Sequence, residues 1–179
     1  MAHHLTARHL TVRRPGDERN EEMCEYCGCQ SLEAIDELTR EHDTVVNMIG
    51  EVRAAQSDGD VARMARAARS IAAVLGPHTE VEEHGLFPAM KEEFPDHIAA
   101  LEDEHRRIES VLAEAEGGTP ADPDWPRRLR EALETLREHI LKEQDGVFPA
   151  ALSVLDTEDW EAVAAARGRA GSGMPAAAA

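Results

Sequence analysis

His78 and Glu82 stand four residues apart, as do His139 and Glu143. On a helix that spacing sets an imidazole one turn from a carboxylate on the same face, so a single cation can meet both. His42 and His105 each lie inside an apolar run of helical period. Six such side chains, projecting from four helices onto a common axis, can hold two metal ions. A single histidine on an apolar helix face is more often a core residue with one hydrogen bond. Here every apolar segment carries one at core phase and two segments add a Glu, whose buried charge is costly unless cations neutralise it. Mixed imidazole and carboxylate ligands suit iron, manganese or zinc, and a bridged, histidine-rich pair fits iron best. No cysteine falls at core phase, which argues against a thiolate zinc or iron-sulfur site.

The segments that must position these groups follow from the apolar rhythm. Leu32, Ile35, Leu38, His42, Val45, Ile49 and Val52 recur at three- and four-residue steps from a candidate N-cap at Ser31, and the run ends at Ser57-Asp58-Gly59. A second stripe opens after Asp60 and carries Val61, Met64, Ala68, Ile71, Leu75, His78, Glu82 and Leu86 as far as Phe87-Pro88. Pro77 interrupts it, but the phase persists, which predicts one bent helix. A third stripe after Phe94-Pro95-Asp96 holds Ile98, Leu101, His105, Ile108 and Leu112 and stops at Gly117-Gly118. The fourth begins near Asp124-Trp125-Pro126, with proline tolerated in the first turn, and holds Leu129, Leu133, Leu136, His139, Glu143 and Val147. Thr157 to Trp160 predicts one further short helix whose tryptophan packs on the bundle.

Residues 78–88 and 139–149 align without gaps as H-x-x-x-E-x-x-G-aliphatic-F-P. A second repeat matches Leu38 with Leu101, Glu41-His42 with Glu104-His105, Val45 with Ile108 and Ile49 with Leu112. The expected fold is therefore all-α: an antiparallel four-helix bundle, up-down-up-down, made from a duplicated helical hairpin. We expect a flexible N-terminal arm over 1–30, the bundle over 31–152, and a short helix with a disordered Ala/Gly tail over 153–179.

The order H, H-x-x-x-E, H, H-x-x-x-E on successive helices, with the G-aliphatic-F-P ends, resembles the hemerythrin-like (HHE cation-binding) family over about residues 31–150. The resemblance implies a non-haem di-iron centre, two iron ions joined by an oxo or hydroxo bridge, that binds or reacts with O2, nitric oxide or peroxide, or senses oxygen or iron. It would place His42 and His78 on one iron, His105 and His139 on the other, and Glu82 and Glu143 as bridges. Two positions depart from the oxygen-carrying members: Leu101 stands where they have a further histidine, and Gln144 where they have Asp. With octahedral ions, the two irons offer about twelve positions, of which the ligands and one bridging oxygen fill about ten. The open positions favour peroxide or NO chemistry over reversible O2 carriage. A water, Glu83, His84 or Glu104 is an alternative occupant, although Glu83 and His84 read more simply as outer or solvated groups.

The formal net charge of −17 argues against nucleic acid or an anionic membrane as partner, since both require clustered Lys and Arg. No apolar run approaches a membrane span and the first residues lack a signal-peptide core, so a cytoplasmic protein is expected. Cys24, Cys27 and Cys29 are too close together to staple a fold and suit a reducing compartment, as a thiol relay or an accessory metal clip. The function expected first is catalase- or peroxidase-like decomposition of peroxide, or NO turnover, at the metal pair. The alternative is a sensor or iron-binding protein without turnover, and a structural bundle with incidental metal stands last.

Overall fold

The computed structural model describes residues 29–175; residues 1–28 of the expected N-terminal arm, with Cys24 and Cys27, lie outside them, and its last two residues belong to the first helix. Among the described residues the chain is all-helical, with no strand. Helix α1 spans Cys29–Ser57, α2 Val61–Val81, α3 Phe87–Met90, α4 Pro95–Ala113, α5 Trp125–Lys142, α6 Phe148–Val154 and α7 Thr157–Ala170. Short π-helical turns, π1 over Glu82–Leu86 and π2 over Glu143–Val147, join α2 to α3 and α5 to α6. None of the described helices is long and apolar enough to cross a membrane.

Local chemistry explains most of the boundaries. Gly59 takes φ +68°, and the Asp60 side chain accepts the Arg63 N–H at 2.8 Å to start α2. Pro95 and Pro126 lie in first turns, where the missing N–H costs nothing. Trp125 is fully buried and donates its indole N–H to the Val111 carbonyl at 3.2 Å, tying the start of α5 to α4. A capping box between Asp156 and Asp159 opens α7, and Gly171 at φ +72° closes it.

The two π turns are the backbone expression of the sequence repeat. Proline at 88 or 149 has no N–H for the carbonyl four residues back, and its ring presses on that carbonyl. An extra residue in the turn relieves the conflict: Phe87 N–H reaches the Glu82 carbonyl and Phe148 N–H the Glu143 carbonyl, five residues back. Pro77, by contrast, lies within a continuous α2.

Apolar side chains form two clusters. One includes Val45, Ile49, Ile71, Leu75, Ile108, Leu112, Leu133 and Leu136. The other includes Leu38, Val81, Leu86, Phe87, Ile98, Leu101, Phe148, Trp160 and Val163. The expected stripes supply both, with one exception: Leu32 is 56 % exposed, because α1 begins at Cys29, earlier than the Ser31 cap expected, and its first turn lies outside the apolar contacts.

The C-terminal segment differs most from expectation. Helix α7 continues through Gly168 to Ala170, so the change to a tail comes at Gly171. It lies across π1 and α2, and a Cβ placed on Gly85 would be 3.0 Å from the Val163 Cα and 3.1 Å from the Ala166 Cβ. Gly146, the counterpart of Gly85 in the repeat, has nothing within 4 Å of the same point. Gly85→Ala should therefore lower unfolding free energy by about 1–3 kcal/mol, because backbone must move to admit the methyl. Gly146→Ala should leave it unchanged or slightly raised. Denaturant midpoints of the two variants check this, and equal effects would contradict the packing.

Candidate metal centre

Between the two apolar clusters lies a polar layer. His42, His78, Glu82, His105, His139 and Glu143 are each no more than 5 % exposed, and Glu82 and Glu143 are fully buried. The chain reaches this layer from four helices: Leu38 and Val45 flank His42, Leu75 and Val81 flank His78, Leu101 and Ile108 flank His105, and Leu136 stands one turn before His139. The apolar neighbours one turn away fix the depth of the imidazole.

All six residues expected from the sequence come together. His42, His78, Glu82 and Glu143 form one group able to hold a metal ion, and Glu82, His105, His139 and Glu143 a second, with the offered atoms of each group within 4.8 Å of one another. The carboxylates belong to both groups. Glu82 Oε2 lies 3.3 Å from His78 Nε2 and 3.4 Å from His105 Nε2. Glu143 divides its oxygens, with Oε1 at 3.0 Å from His139 Nε2 and Oε2 at 3.2 Å from His42 Nε2. Both oxygens of each carboxylate, and both ring nitrogens of His42, are buried without a hydrogen-bond partner. Buried carboxylates left this way are costly, and a cation between them removes the cost; the donor set therefore fits metal ions.

A second set of carboxylates fixes the rings. His78 Nδ1 donates to Glu41 Oε2 at 2.9 Å, His105 Nδ1 to Glu83 Oε1 at 3.0 Å and His139 Nδ1 to Glu104 Oε2 at 3.0 Å. An ionised carboxylate only accepts, so the neutral ring carries its proton on Nδ1 and turns its Nε2 lone pair to the layer. His105 and His139 bring their Nε2 atoms to 2.8 Å. Phe87 stacks on His105 with ring centres 5.8 Å apart, and Phe148 on His42 at 5.6 Å. Each phenyl ring of the repeated F-P ends thus steadies an imidazole of the other hairpin.

Sequence reasoning missed Glu41, which is 2 % exposed and also accepts a two-pronged bond from Arg167 at 2.8 and 2.9 Å. The signal was present, since Glu41-His42 and Glu104-His105 are paired in the repeat. Glu83 and Glu104 meet histidine nitrogens that face away from the layer. His84, one of the alternative ligands, is 58 % exposed and lies 3.3 Å from Glu80, outside the layer.

The charges are strongly interdependent. Burial disfavours the imidazolium of His78, but the Glu82 charge and the bond to Glu41 outweigh it and carry the pKa up to about 10. The same opposition, with burial against Glu82, brings His105 up to about 9. Burial would raise Glu82 and Glu143, yet the surrounding imidazoles hold Glu82 well below the usual carboxylate range and Glu143 also below it. Protons on the imidazoles and a metal cation answer the same need, positive charge between two buried carboxylates.

Helical architecture and a buried histidine and carboxylate layer define a class of cation-binding helical proteins. Within that class, residues 33–151 match the family model described as the Hemerythrin HHE cation binding domain, and the chain belongs to this family. It is also similar to a DNA nickase from Nostoc sp. (strain PCC 7120 / SAG 25.82 / UTEX 2576), with 24% identity over 135 residues, which are 73% of this chain and 38% of the relative. The chain thus spans well under half of that relative's length. No solved structure matches the chain significantly.

The pKa directions predict an unusual pH dependence for protein stripped of metal by chelation. His78 and His105 are raised above the ordinary 6.5, so their contribution is complete below about pH 6.5 and is lost as pH rises through about 9 to 10. Glu82 and Glu143 are lowered, so theirs is present above 4.5 and lost as pH falls below it. Melting temperature of the stripped protein should fall between pH 6.5 and 10, while metal-loaded protein stays nearly level there because the imidazoles are already deprotonated. A stripped protein that gains stability across that window would contradict the arrangement.

Proposed function

We propose that the protein is a di-iron protein that binds, and most readily decomposes, peroxide, with O2 and NO as the other small molecules of the right size. In this reading His42 and His78 hold one ion, His105 and His139 the other, and Glu82 and Glu143 bridge them. The observation that carries it is that each carboxylate faces one imidazole from each group, with oxygens that have no hydrogen-bond partner. The helices of this centre would run up-down-up-down as an antiparallel bundle, a reading supported by the tight turn between α1 and α2 and by the packing of α1 on α2 and of α4 on α5.

The substrate size follows from the space beside the histidines. A cavity of about 10 Å³ is lined by the four imidazoles together with Leu75, Thr79, Ile108, Glu109 and Leu136. That volume is on the scale of one water molecule, which leaves room beside the histidines for only the smallest ligands and none for an organic substrate. When bound, the iron pair supplies open coordination positions and one-electron redox chemistry. The chain supplies the rest. Leu75, Ile108 and Leu136 keep bulk water away, and Glu41, Glu83 and Glu104 hold three Nε2 lone pairs toward the layer. Thr79 and Glu109 are the non-histidine polar groups of the cavity, and Glu109 is the one suited to take or return a proton.

DNA cleavage is not part of this reading. The net charge of −17 opposes approach to a phosphate backbone, and the relative that bears the nickase name extends far beyond the matched region. We place the protein in the cytoplasm on the strength of its closely spaced cysteines.

Metal analysis with visible spectra before and after hydrogen peroxide tests the proposal. About two irons per chain, with bands that change as O2 evolves, is the expected result under this ligand count. Two irons without turnover would favour a binding or sensing role, and no iron would overturn the assignment. Glu82→Ala and Glu143→Ala should each lose most of both ions, because a bridging carboxylate serves two sites. Full occupancy in either variant would remove the bridging role.

A further inference from the structure

Three of the four histidines are held from behind by a carboxylate, and two of those carboxylates are held in turn by a cation. For Glu104 the cation is Lys142, at 2.5 Å, which stands three residues after His139 on the same helix and is 52 % exposed. Three residues after His78 the repeat has Val81, so the first hairpin has no cation of its own in that place. Glu41 is held instead by Arg167, which belongs to α7, outside the four helices that carry the histidines and the two π turns that carry Glu82 and Glu143.

This contact is built to orient. Arg167 gives Nη1 to Oε1 and Nη2 to Oε2 of Glu41, a planar fork that sets the carboxylate plane and with it the line of the bond to His78. Arg167 is itself fixed. Its Nη1 reaches the Gly171 carbonyl at 3.0 Å, its Nε lies 3.3 Å from Glu37, and α7 is seated by Trp160, Val163 and Ala166 against π1. Glu41 is 2 % exposed, and without the fork neither the plane of its carboxylate nor the line of its bond to His78 is set. The other imidazole of that group offers no support, because His42 Nδ1 has no partner. The repeat explains why: the position that matches Glu83, which holds His105, is Gln144.

We propose that α7 is a working part of the metal centre: Arg167, acting through Glu41, is a positioning residue for His78, so that the ion at His42 and His78 binds second and more weakly, and its binding and the seating of α7 stabilise one another. The inference rests on the ligand assignment made above. Linkage makes the coupling reciprocal: whatever α7 adds to the affinity of that ion, the ion adds to the docking of α7.

Anaerobic titration of ferrous ion into the chelated full-length protein, read by calorimetry, tests it, together with hydrogen exchange of α7 amides at each stage of loading. Wild type should fill in two steps, with α7 gaining protection only at the second. Arg167→Gln should weaken the second step by about 10- to 100-fold and leave the first unchanged, while the metal-dependent protection of α7 disappears. Arg167→Lys, which keeps the charge without the fork, should fall between, and Lys142→Gln should shift the first step alone. A purely structural role for Arg167 would loosen α7 equally with and without metal and shift both steps or neither, and that result overturns the proposal. If Arg167→Gln does not fold, equal protection of α7 in metal-free and loaded wild type overturns it on its own. Two steps indifferent to Arg167 would refute this inference and leave the ligand assignment standing, whereas no ferrous binding by wild type would remove both.

Discussion

Two fully buried carboxylates, Glu82 and Glu143, set the terms for the rest of the molecule. A carboxylate out of water demands positive charge at contact distance, and the chain meets the demand with four imidazoles, one from each of four helices. The imidazoles in turn require acceptors for the nitrogens that face away, which accounts for Glu41, Glu83 and Glu104. Those three add negative charge, balanced only in part by Arg167 and Lys142. Five carboxylates against two side-chain cations leave the cluster negative by three. The pair of divalent ions in the proposed centre brings it within one charge of neutrality. A single divalent ion would leave it one charge negative and two make it one charge positive, whereas two trivalent ions would leave an excess of three unless an anion joined them.

Duplication supplies the pairs of this arrangement, and the places where it fails give each half its character. The tilted imidazole pairs, His42 with His78 and His105 with His139, have ring centres 4.5 Å apart in both halves. The phenylalanines cross between hairpins in the same way. The differences are Gln144 in place of a second Glu83, Lys142 in place of Val81, and α7 packed on Gly85 while Gly146 stays uncovered. A symmetric pair of sites would treat two ions alike. Unequal support behind the histidines makes one imidazole pair stiffer than the other, and a rigid ligand pair loses less freedom when an ion binds.

Much of this was legible in the sequence because both helix phase and ligand spacing are local. His78 to Glu82 and His139 to Glu143 are single-helix relations, and the apolar residues on each side of His42 and His105 already placed them at the core. The outer carboxylates were only half legible. Glu41 and Glu104 stand beside core histidines in the repeat, but adjacency in sequence points a side chain about 100° away on a helix, and its target lies on another helix. The π turns were hidden for a different reason: proline at 88 and 149 marks a conflict with the preceding carbonyl, and a break, a kink or a wider turn each resolves it. Arg167 was not legible at all. Its partner is 126 residues away, and α7 is too short and too rich in alanine for its periodicity to show which face meets the bundle.

A centre this closed raises the question of how anything reaches it. The six side chains are at most 5 % exposed, and the adjoining cavity holds about one water-sized molecule, so small gases can enter through side-chain fluctuations, whereas a hydrated metal ion cannot. Loading of a centre this closed requires local opening. Helices α1, α2, α4 and α5 share the larger apolar cluster. Helix α7 contributes Trp160 and Val163 to the smaller one, packs on Gly85 of π1, and reaches the site through the Arg167 fork. The contacts that steady His78 thus come from outside the four helices that carry the histidines.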